Sequence, residues 1–332
     1  MSDRTVDPPL VSIVLPTYKR AHLLPSAIRS VLSQTYGNLE LIVVDDNSPD
    51  ATRDVAASFS DPRIRYVRNE PNLKLPRALN RGFSLARGAY LTWTSDDNLY
   101  GENAIERMVE VLQKRKCDFV YADYYAFTDL DPTGRPLEIH HHRLPHTLQL
   151  EKGNHVGACF MYTRGVYEAV GEYDPELILV EDYDYFMRIA QRFRICHIAE
   201  PLYYFRRHDD ALYVSRFCEV KASDFLGRYK NGLLSEADVL EAIVTLLLGN
   251  PDHLHNRFLR LSHQWVRRHS YRLTKLHVKM LGAYLRRRLR VRVATLLEGY
   301  RTKNIAFGAA RDTLCGLMKE LGAIAYNEPR IK

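Results

Sequence analysis

This chain lacks any run that approaches the roughly 20 apolar residues needed for a membrane-spanning helix. The best candidate, residues 243–248, is far too short. The first nine residues, which include Asp3, Arg4, Asp7, Pro8 and Pro9, do not form the basic-then-apolar pattern of a secretory signal. Cysteine is scarce. The five present, Cys117, Cys159, Cys196, Cys218 and Cys315, are scattered and contain no Cys-x-x-Cys pair. That leaves no zinc or dithiol motif, and the expectation is reduced thiols in a cytoplasmic protein. Internal repeats and low-complexity tracts are absent as well.

The composition is that of a globular protein, 46% hydrophobic and 26% charged. A net charge of +7 becomes informative once it is located. Residues 256–303 hold 14 Lys and Arg against one acid, Glu298, a balance of +13, while the remainder has 33 basic and 39 acidic residues, hence −6. A mildly acidic body therefore carries a strongly basic arm.

From Val11 onward, short apolar runs alternate with helical periodicity, the pattern of an α/β domain. Val11-Ser12-Ile13-Val14-Leu15 reads as a buried strand, and Leu23, Leu24, Ala27, Ile28, Val31 and Leu32 as one face of the next helix. Leu41-Ile42-Val43-Val44 is the second strand, ended by Asp45-Asp46. A helix over residues 51–59, a strand over 64–67, a helix over 77–86 and a strand over 90–94 follow, the last running into Ser95-Asp96-Asp97-Asn98. Polar residues thus gather at carboxyl ends of strands, where open parallel sheets bind ligands. Strands at 118–122 and 158–162, a polar loop holding His140-His141-His142, and a helix over 182–192 complete the first unit. Beyond Asp209 the periodicity is purely helical. The domains expected are 1–210, α/β, and 211–332, a basic helical extension.

Five ordered segments resemble the family 2 glycosyltransferases, whose catalytic domain has the GT-A fold. They are Val11 to Leu15 with Pro16-Thr17-Tyr18, the helix end Val31-Leu32-Ser33-Gln34-Thr35, Ile42-Val43-Val44-Asp45-Asp46-Asn47-Ser48, Ser95-Asp96-Asp97-Asn98, and Glu181-Asp182. The resemblance covers about the first two thirds of the chain. It implies a Rossmann-like mixed sheet flanked by helices, and inverting transfer of a sugar from a UDP- or GDP-sugar donor to an acceptor hydroxyl.

Such a donor presents a flat base, a ribose diol and a diphosphate. Pro16, Thr17, Tyr18 and Asp46 follow the first two strands and offer an apolar face and a carboxylate; in the family the equivalent residues stack on and hydrogen-bond the base. Asp96-Asp97 is this chain's form of the family's Asp-x-Asp motif, which assigns Asp96 to the ribose and Asp97 to Mn²⁺ or Mg²⁺, hard ions suited to carboxylate and phosphate oxygens. Lys74, with Arg77 and Arg81 as stand-ins, stands where related sequences often carry a basic residue facing the diphosphate. The resemblance assigns Asp182 as the base that deprotonates the acceptor, with Glu181 as stand-in; an acid at a helix start is equally a candidate cap. His208 lies where some GT-A enzymes bring a histidine to the metal or phosphates.

The basic arm carries Leu273, Leu276, Met280, Tyr284, Leu285, Leu289, Val293 and Leu296 at helical spacing among its arginines. This pattern suits an anionic membrane surface, placing the enzyme at the inner face near a lipid-linked acceptor, and it suits a helical bundle with a solvated face or a homo-oligomer contact as well. Nucleic acid is not expected as a partner, because no reader motif accompanies the charge. Protein or free glycan acceptors stay open. After the first strand stand Pro16-Thr17-Tyr18-Lys19-Arg20. A sugar nucleotidyltransferase needs a Gly-rich loop there, and a dinucleotide-dependent oxidoreductase needs Gly-x-Gly-x-x-Gly. The remaining rival is a sugar-nucleotide or glycan-binding protein without turnover. Binding alone does not require a base, which argues against it.

Overall fold

The computed structural model describes residues 8–208, 215–249 and 271–321, and the chain divides into two compact units, Met1–His208 and Asp209–Lys332. In the first unit β1 (Val11–Thr17), β2 (Leu39–Asp45), β3 (Ile64–Arg68) and β4 (Tyr90–Trp93) are parallel neighbours, in the order β3-β2-β1-β4. Every residue of β1 and β2 is buried. Strands covered on both faces have no solvent side, so they read as mainly apolar runs, broken here by the buried Ser12 and Glu40, whose side chains hydrogen-bond each other at 2.6 Å. Three helices connect them: α1 (Leu24–Leu32), α2 (Thr52–Ala57) and α3 (Leu75–Leu85). Leu24, Ala27, Ile28 and Val31 of α1 face the core at helical spacing. The backbone of α3 comes so close to the sheet that a Cβ on Gly82 would lie 2.3 Å from Cγ1 of Val14.

The other half of the unit contains β5 (Leu99–Tyr100), α4 (Ala104–Arg115), β6 (Phe119–Phe127), β7 (His140–His142), β8 (Phe160–Thr163), α5 (Arg164–Val170), α6 (Glu181–Ala190) and β9 (Ile195–Arg206). These strands extend the sheet in the order β4-β8-β6-β9-β5, with β7 paired to β6. Because β8 is antiparallel to β4 and β6 while β9 is parallel to β6, the sheet is mixed. Two expectations need correction here. His140, His141 and His142 are exposed, but they form a strand against Tyr124, Tyr125 and Ala126 rather than a free loop. Pairing uses the backbone, so polar side chains in water do not prevent it. Secondly, Cys117 and Cys196 are joined in a disulfide, not reduced, because the pairing of β6 with β9 brings residues 79 apart in sequence side by side.

The second unit holds α7 (Phe217–Lys230), α8 (Glu236–Gly249), α9 (Tyr271–Arg301) and α10 (Phe307–Leu321). In α9, Leu281, Leu285, Leu289, Val293, Leu296 and Leu297 are buried in the helical core. The stripe of Leu285, Leu289, Val293 and Leu296 expected as a lipid-insertion surface is therefore consumed by packing. Four other positions of that stripe fall differently. Met280 and Tyr284 are exposed, whereas residues 256–270 and the side chains of Leu273 and Leu276 lie outside the described residues.

Candidate active site

The carboxyl ends of β1, β2 and β4 hold most of the site residues expected from the sequence. Pro16 and Thr17 are buried within β1, so of the first group Tyr18 is the ring open to a base, at 41% exposure. Lys19 takes a positive φ of 59° and sets its Nζ 5.1 Å from the centre of the Tyr18 ring. At the end of β2, Asp45 is fully buried and accepts from Tyr66 Oη at 2.6 Å, Arg68 Nη1 at 2.7 Å and the Ser48 amide at 2.8 Å. Its neighbour Asp46 points the other way. Asp46 Oδ1 accepts from Asn69 Nδ2 and the Leu73 amide, both at 2.8 Å, and Oδ2 from the Lys74 amide at 2.9 Å. It thereby fixes the loop that opens α3. Lys74 meets Asp46 through its backbone while its side chain is exposed; Arg81 is engaged with Asn69 at 2.6 Å, and Arg77 is exposed.

Beyond β4 the two aspartates have unlike surroundings. Asp96 is buried, accepting from Thr17 Oγ1 at 2.7 Å and from Arg20 Nη1 at 3.3 Å. Burial pushes its carboxyl up to about 7, with the Arg20 charge opposing and the Asp97 charge adding. Asp97 Oδ2 accepts from Arg20 Nη1 and lies 3.2 Å from His208 Nε2. Burial alone would lower the Arg20 pKa, but the Asp96 and Asp97 charges outweigh it and raise it. His208 arrives because β9 ends at Arg206, whose amide donates to Asn98 Oδ1 and whose Nε donates to the Asp97 carbonyl. Thr17, Arg20, Asp96, Asp97 and His208 thus form one connected group drawn from three strand ends.

Arg20 is not among the residues expected from the sequence. Its signal is its place directly after Pro16-Thr17-Tyr18-Lys19, in the loop that leaves β1.

Asp97 and His208 fit a hard divalent cation, offering a carboxylate oxygen and an imidazole nitrogen on adjacent chain ends. Among the described residues no set of three or more His, Cys, Asp or Glu converges as a metal cage. A small set suits magnesium-like ions, which keep several waters and bind through one or two carboxylates plus phosphate. Such an ion would take the place of the Arg20 guanidinium on Asp97.

Glu181 and Asp182 form a second acidic pair at the start of α6. The cap position belongs to Val180, so neither acid is the N-cap residue, which corrects that part of the expectation. Buried Glu181 accepts the Leu179 amide at 2.9 Å through Oε2. Half-buried Asp182 accepts the Tyr183 amide at 2.6 Å through Oδ1 and Asn154 Nδ2 at 3.1 Å through Oδ2. Burial, followed by the charge of Asp182, holds the Glu181 carboxyl well above the carboxylate range. Burial also raises Asp182, while the Tyr183 and Asn154 donors pull it back. Burial thus pushes Glu181 toward its protonated form, while Asp182 keeps two donors that favour its carboxylate.

The family model of glycosyl transferase family 2 matches residues 12–171. An uncharacterized glycosyltransferase of Rickettsia typhi is 32% identical over 215 residues, covering 60% of this chain and 65% of that protein. The Escherichia coli UDP-Glc:alpha-D-GlcNAc-diphosphoundecaprenol beta-1,3-glucosyltransferase WfgD is 34% identical over 130 residues, covering 39% and 51%. The chain thus spans less than two thirds of the length of these curated relatives. Among solved structures, Staphylococcus aureus TarS 1-349 with UDP-GlcNAc is similar with a TM-score of 0.55 at 15% identity, covering 93% of this chain and 90% of that one. The mannosyltransferase PcManGT of Pyrobaculum calidifontis, with GDP-Man and Mn²⁺, gives 0.55 at 17% identity, covering 94% and 87%. These likenesses show the GT-A fold.

Proposed function

We propose that this chain, which belongs to glycosyl transferase family 2 through residues 12–171, moves a sugar from a UDP- or GDP-sugar to an acceptor hydroxyl with inversion at the anomeric carbon. The observation that carries the reading is the division of labour between its two acidic pairs. Among the described residues Asp182 has no cation beside it, and burial raises its pKa above the ordinary carboxylate value, the direction that strengthens a carboxylate as a base. Asp97 has an arginine and a histidine on one oxygen, the state of a group that holds positive charge.

In this mechanism Tyr18 faces the base, and Asp96, ionised above about pH 7, accepts from the ribose hydroxyls. Asp97 and His208 would hold Mn²⁺ or Mg²⁺, which when bound supplies charge against the leaving diphosphate. The exposed amine of Lys74 is the further counter-charge there. Asp182 takes the proton from the acceptor oxygen as that oxygen attacks the anomeric carbon from the face opposite the diphosphate. Glu181, pushed by burial and by the Asp182 charge toward its protonated form, limits the negative charge of the pair.

The structural neighbours contain UDP-GlcNAc and GDP-Man, which supports a nucleotide-diphosphate sugar as donor. The acceptor of WfgD, a lipid-carried diphosphate sugar, supports a lipid-linked or polysaccharide acceptor. Among the described residues no helix is long and apolar enough to cross a membrane. Attachment to the inner face of an anionic membrane would use the outer side of α9, where Met280, Tyr284 and Val291 are 65%, 42% and 72% exposed beside Arg287, Arg288 and Arg290. Each basic side chain near such a leaflet contributes about 1 kcal/mol. Arg286 and Arg292 are spent on Glu241 and Glu320. The disulfide removes the thiol argument for a reducing compartment, so this placement rests on the basic face.

A panel of UDP- and GDP-sugars with Mn²⁺, followed by NMR of the product, tests the reading. One donor should be consumed with release of its nucleoside diphosphate and an inverted anomeric configuration. Retention of configuration would remove the single-displacement mechanism, and binding without turnover of any donor would favour a sugar-nucleotide-binding protein. Phosphatidylglycerol vesicles should sediment the chain at low salt and release it at high salt; a chain left in the supernatant at low salt makes the α9 face a solvated or self-association surface.

A further inference from the structure

We propose that Asn154 is the positioning residue of Asp182, held in place by a strap over residues 143–157 that is clamped to the sheet at its far end. The inference rests on the reading of Asp182 as base.

Both ends of the Asn154 amide are committed. Its Oδ1 accepts the Val156 amide at 3.2 Å, and its Nδ2 donates to Asp182 Oδ2 at 3.1 Å. An oxygen alone can accept from Val156, so the turn itself aims the nitrogen at the carboxylate. Tyr183 occupies Asp182 Oδ1 through its amide. Together the two donors fix the rotation of the carboxylate and favour its charged form.

The strap has little secondary structure of its own, so its shape depends on anchors. Leu144 donates its amide to Asp123 Oδ1 at 2.9 Å, and Tyr121 Oη donates to the Pro145 carbonyl. His146 Nδ1 faces His197 Nδ1 at 2.9 Å, while His197 Nε2 meets Asp123 Oδ1 at 2.8 Å. His141 Nε2 lies 3.1 Å from the other Asp123 oxygen. Buried Asp123, on β6, is thus the clamp for the strap, directly through the Leu144 amide and by way of His197 through His146, while His141 of β7 takes its other oxygen. Nearer Asn154, Tyr183 Oη donates to the Leu150 carbonyl, and Val156 is fully buried. Gly157 turns with φ +72°, where a Cβ would lie 3.1 Å from the Tyr124 ring. The base and the strap share a residue, since Tyr183 holds Asp182 by its amide and Leu150 by its hydroxyl.

The groups around Asp182 are Glu181 on its own helix, Asn154 on the strap and the buried phenol of Tyr173. Among them Asn154 is the side chain that donates to the carboxylate. Removing it should move the Asp182 pKa up, because the charged form loses a donor.

Two variants separate positioning from mere support of the strap. Asn154→Asp keeps the acceptor for Val156 but replaces the donor with a like charge, whereas Asn154→Ala removes both. The Cγ chemical shift of Asp182 in ¹³C-labelled protein, assigned by its loss in Asp182→Asn, reads the pKa directly. The acid limb of kcat for donor hydrolysis reads it kinetically. Both variants should titrate at higher pH than the parent, Asn154→Asp the more. Turnover on the acid side should fall about tenfold for each pH unit by which the limb moves. KM for the donor should be unchanged. If Asn154→Asp titrates like the parent, Asn154 only shapes the strap and the proposal falls. If Asp182→Asn keeps full turnover, the base assignment falls instead, and the proposal with it as a statement about catalysis.

Discussion

The two acidic pairs of the first unit are built from similar residues and are treated oppositely by their surroundings. Asp96-Asp97 meets a guanidinium and an imidazole. Glu181-Asp182 meets backbone amides and one carboxamide, and among the described residues neither forms an ion pair. Two adjacent carboxylates in a half-buried site cannot both remain charged without compensation. The first pair meets this with the Arg20 guanidinium beside a raised Asp96, the second with burial-raised carboxyls and no ion pair among the described residues. That difference suits one pair to exchanging positive charge with a ligand and the other to exchanging a proton with an acceptor.

The sharpest way to break the comparison is Asp182→Asn. Transfer should fall by roughly 10²-fold to 10⁴-fold, the range for losing a general base, while donor affinity measured by calorimetry stays nearly unchanged. Glu181→Gln should cost less than about tenfold, since glutamine mimics a protonated glutamate. Equal losses in the two variants would erase the distinction between the members of the pair.

On the other side, Asp97→Ala should abolish metal-stimulated turnover and weaken UDP or GDP binding far more than binding of the bare nucleoside, by several kcal/mol. Full activity of the parent in EDTA would show that no cation is involved.

The raised Asp96 carboxyl makes a prediction for stability. A native pKa of about 7 against the ordinary 3.8 means that the folded chain binds the extra proton between those values. Its contribution is fully present below about pH 4 and is lost as pH rises through about 7, at up to about 1.4 kcal/mol per unit. Asp96→Asn should flatten that slope in urea unfolding followed across the window. An unchanged slope would mean that Asp96 is ionised throughout, as the cation-compensated half of the comparison would then require.

The smallest effect concerns Arg20. The pair with Asp97 is partly buried, with side-chain exposures of 29% and 13%, so Arg20→Met should cost about 1–3 kcal/mol, between surface and buried ion pairs. Mn²⁺ should then stabilise the variant more than the parent, because the ion no longer competes with the guanidinium. Equal thermal shifts would place the cation elsewhere.

Much of this was legible in residue order. Strands β1 and β2 announce themselves because burial on both faces favours apolar runs, with Ser12 and Glu40 tolerated as a hydrogen-bonded pair, and Asp45, Asp46, Asp96 and Asp97 mark the points where the chain leaves the sheet. The helix start at Glu181 is legible for the same kind of reason, as Tyr185, Phe186 and Ile189 recur on one buried face. Strand β9 was not. Its burial pattern is mixed, and its register with β6 shifts twice around Asp123, so neither alternation nor a continuous apolar run survives in the sequence.

From that missed strand follow most of the other surprises. Cys196 lies on β9 and closes the disulfide; His197 lies on it and joins the clamp; Arg206 ends it and delivers His208 to Asp97. The sequence by itself determined the parallel half of the sheet and the location of both acidic pairs, because local burial writes its period directly into residue order. It also set the charge of the arm, but which face of α9 that charge shares with solvent depended on Leu285, Leu289 and Val293 finding partners in other helices. Tertiary structure alone decided which cation sits on Asp97 and which amide sits on Asp182. Arg20 and Asn154 lie 77 and 28 residues from their carboxylates, and pairings at such separations leave no period in a sequence.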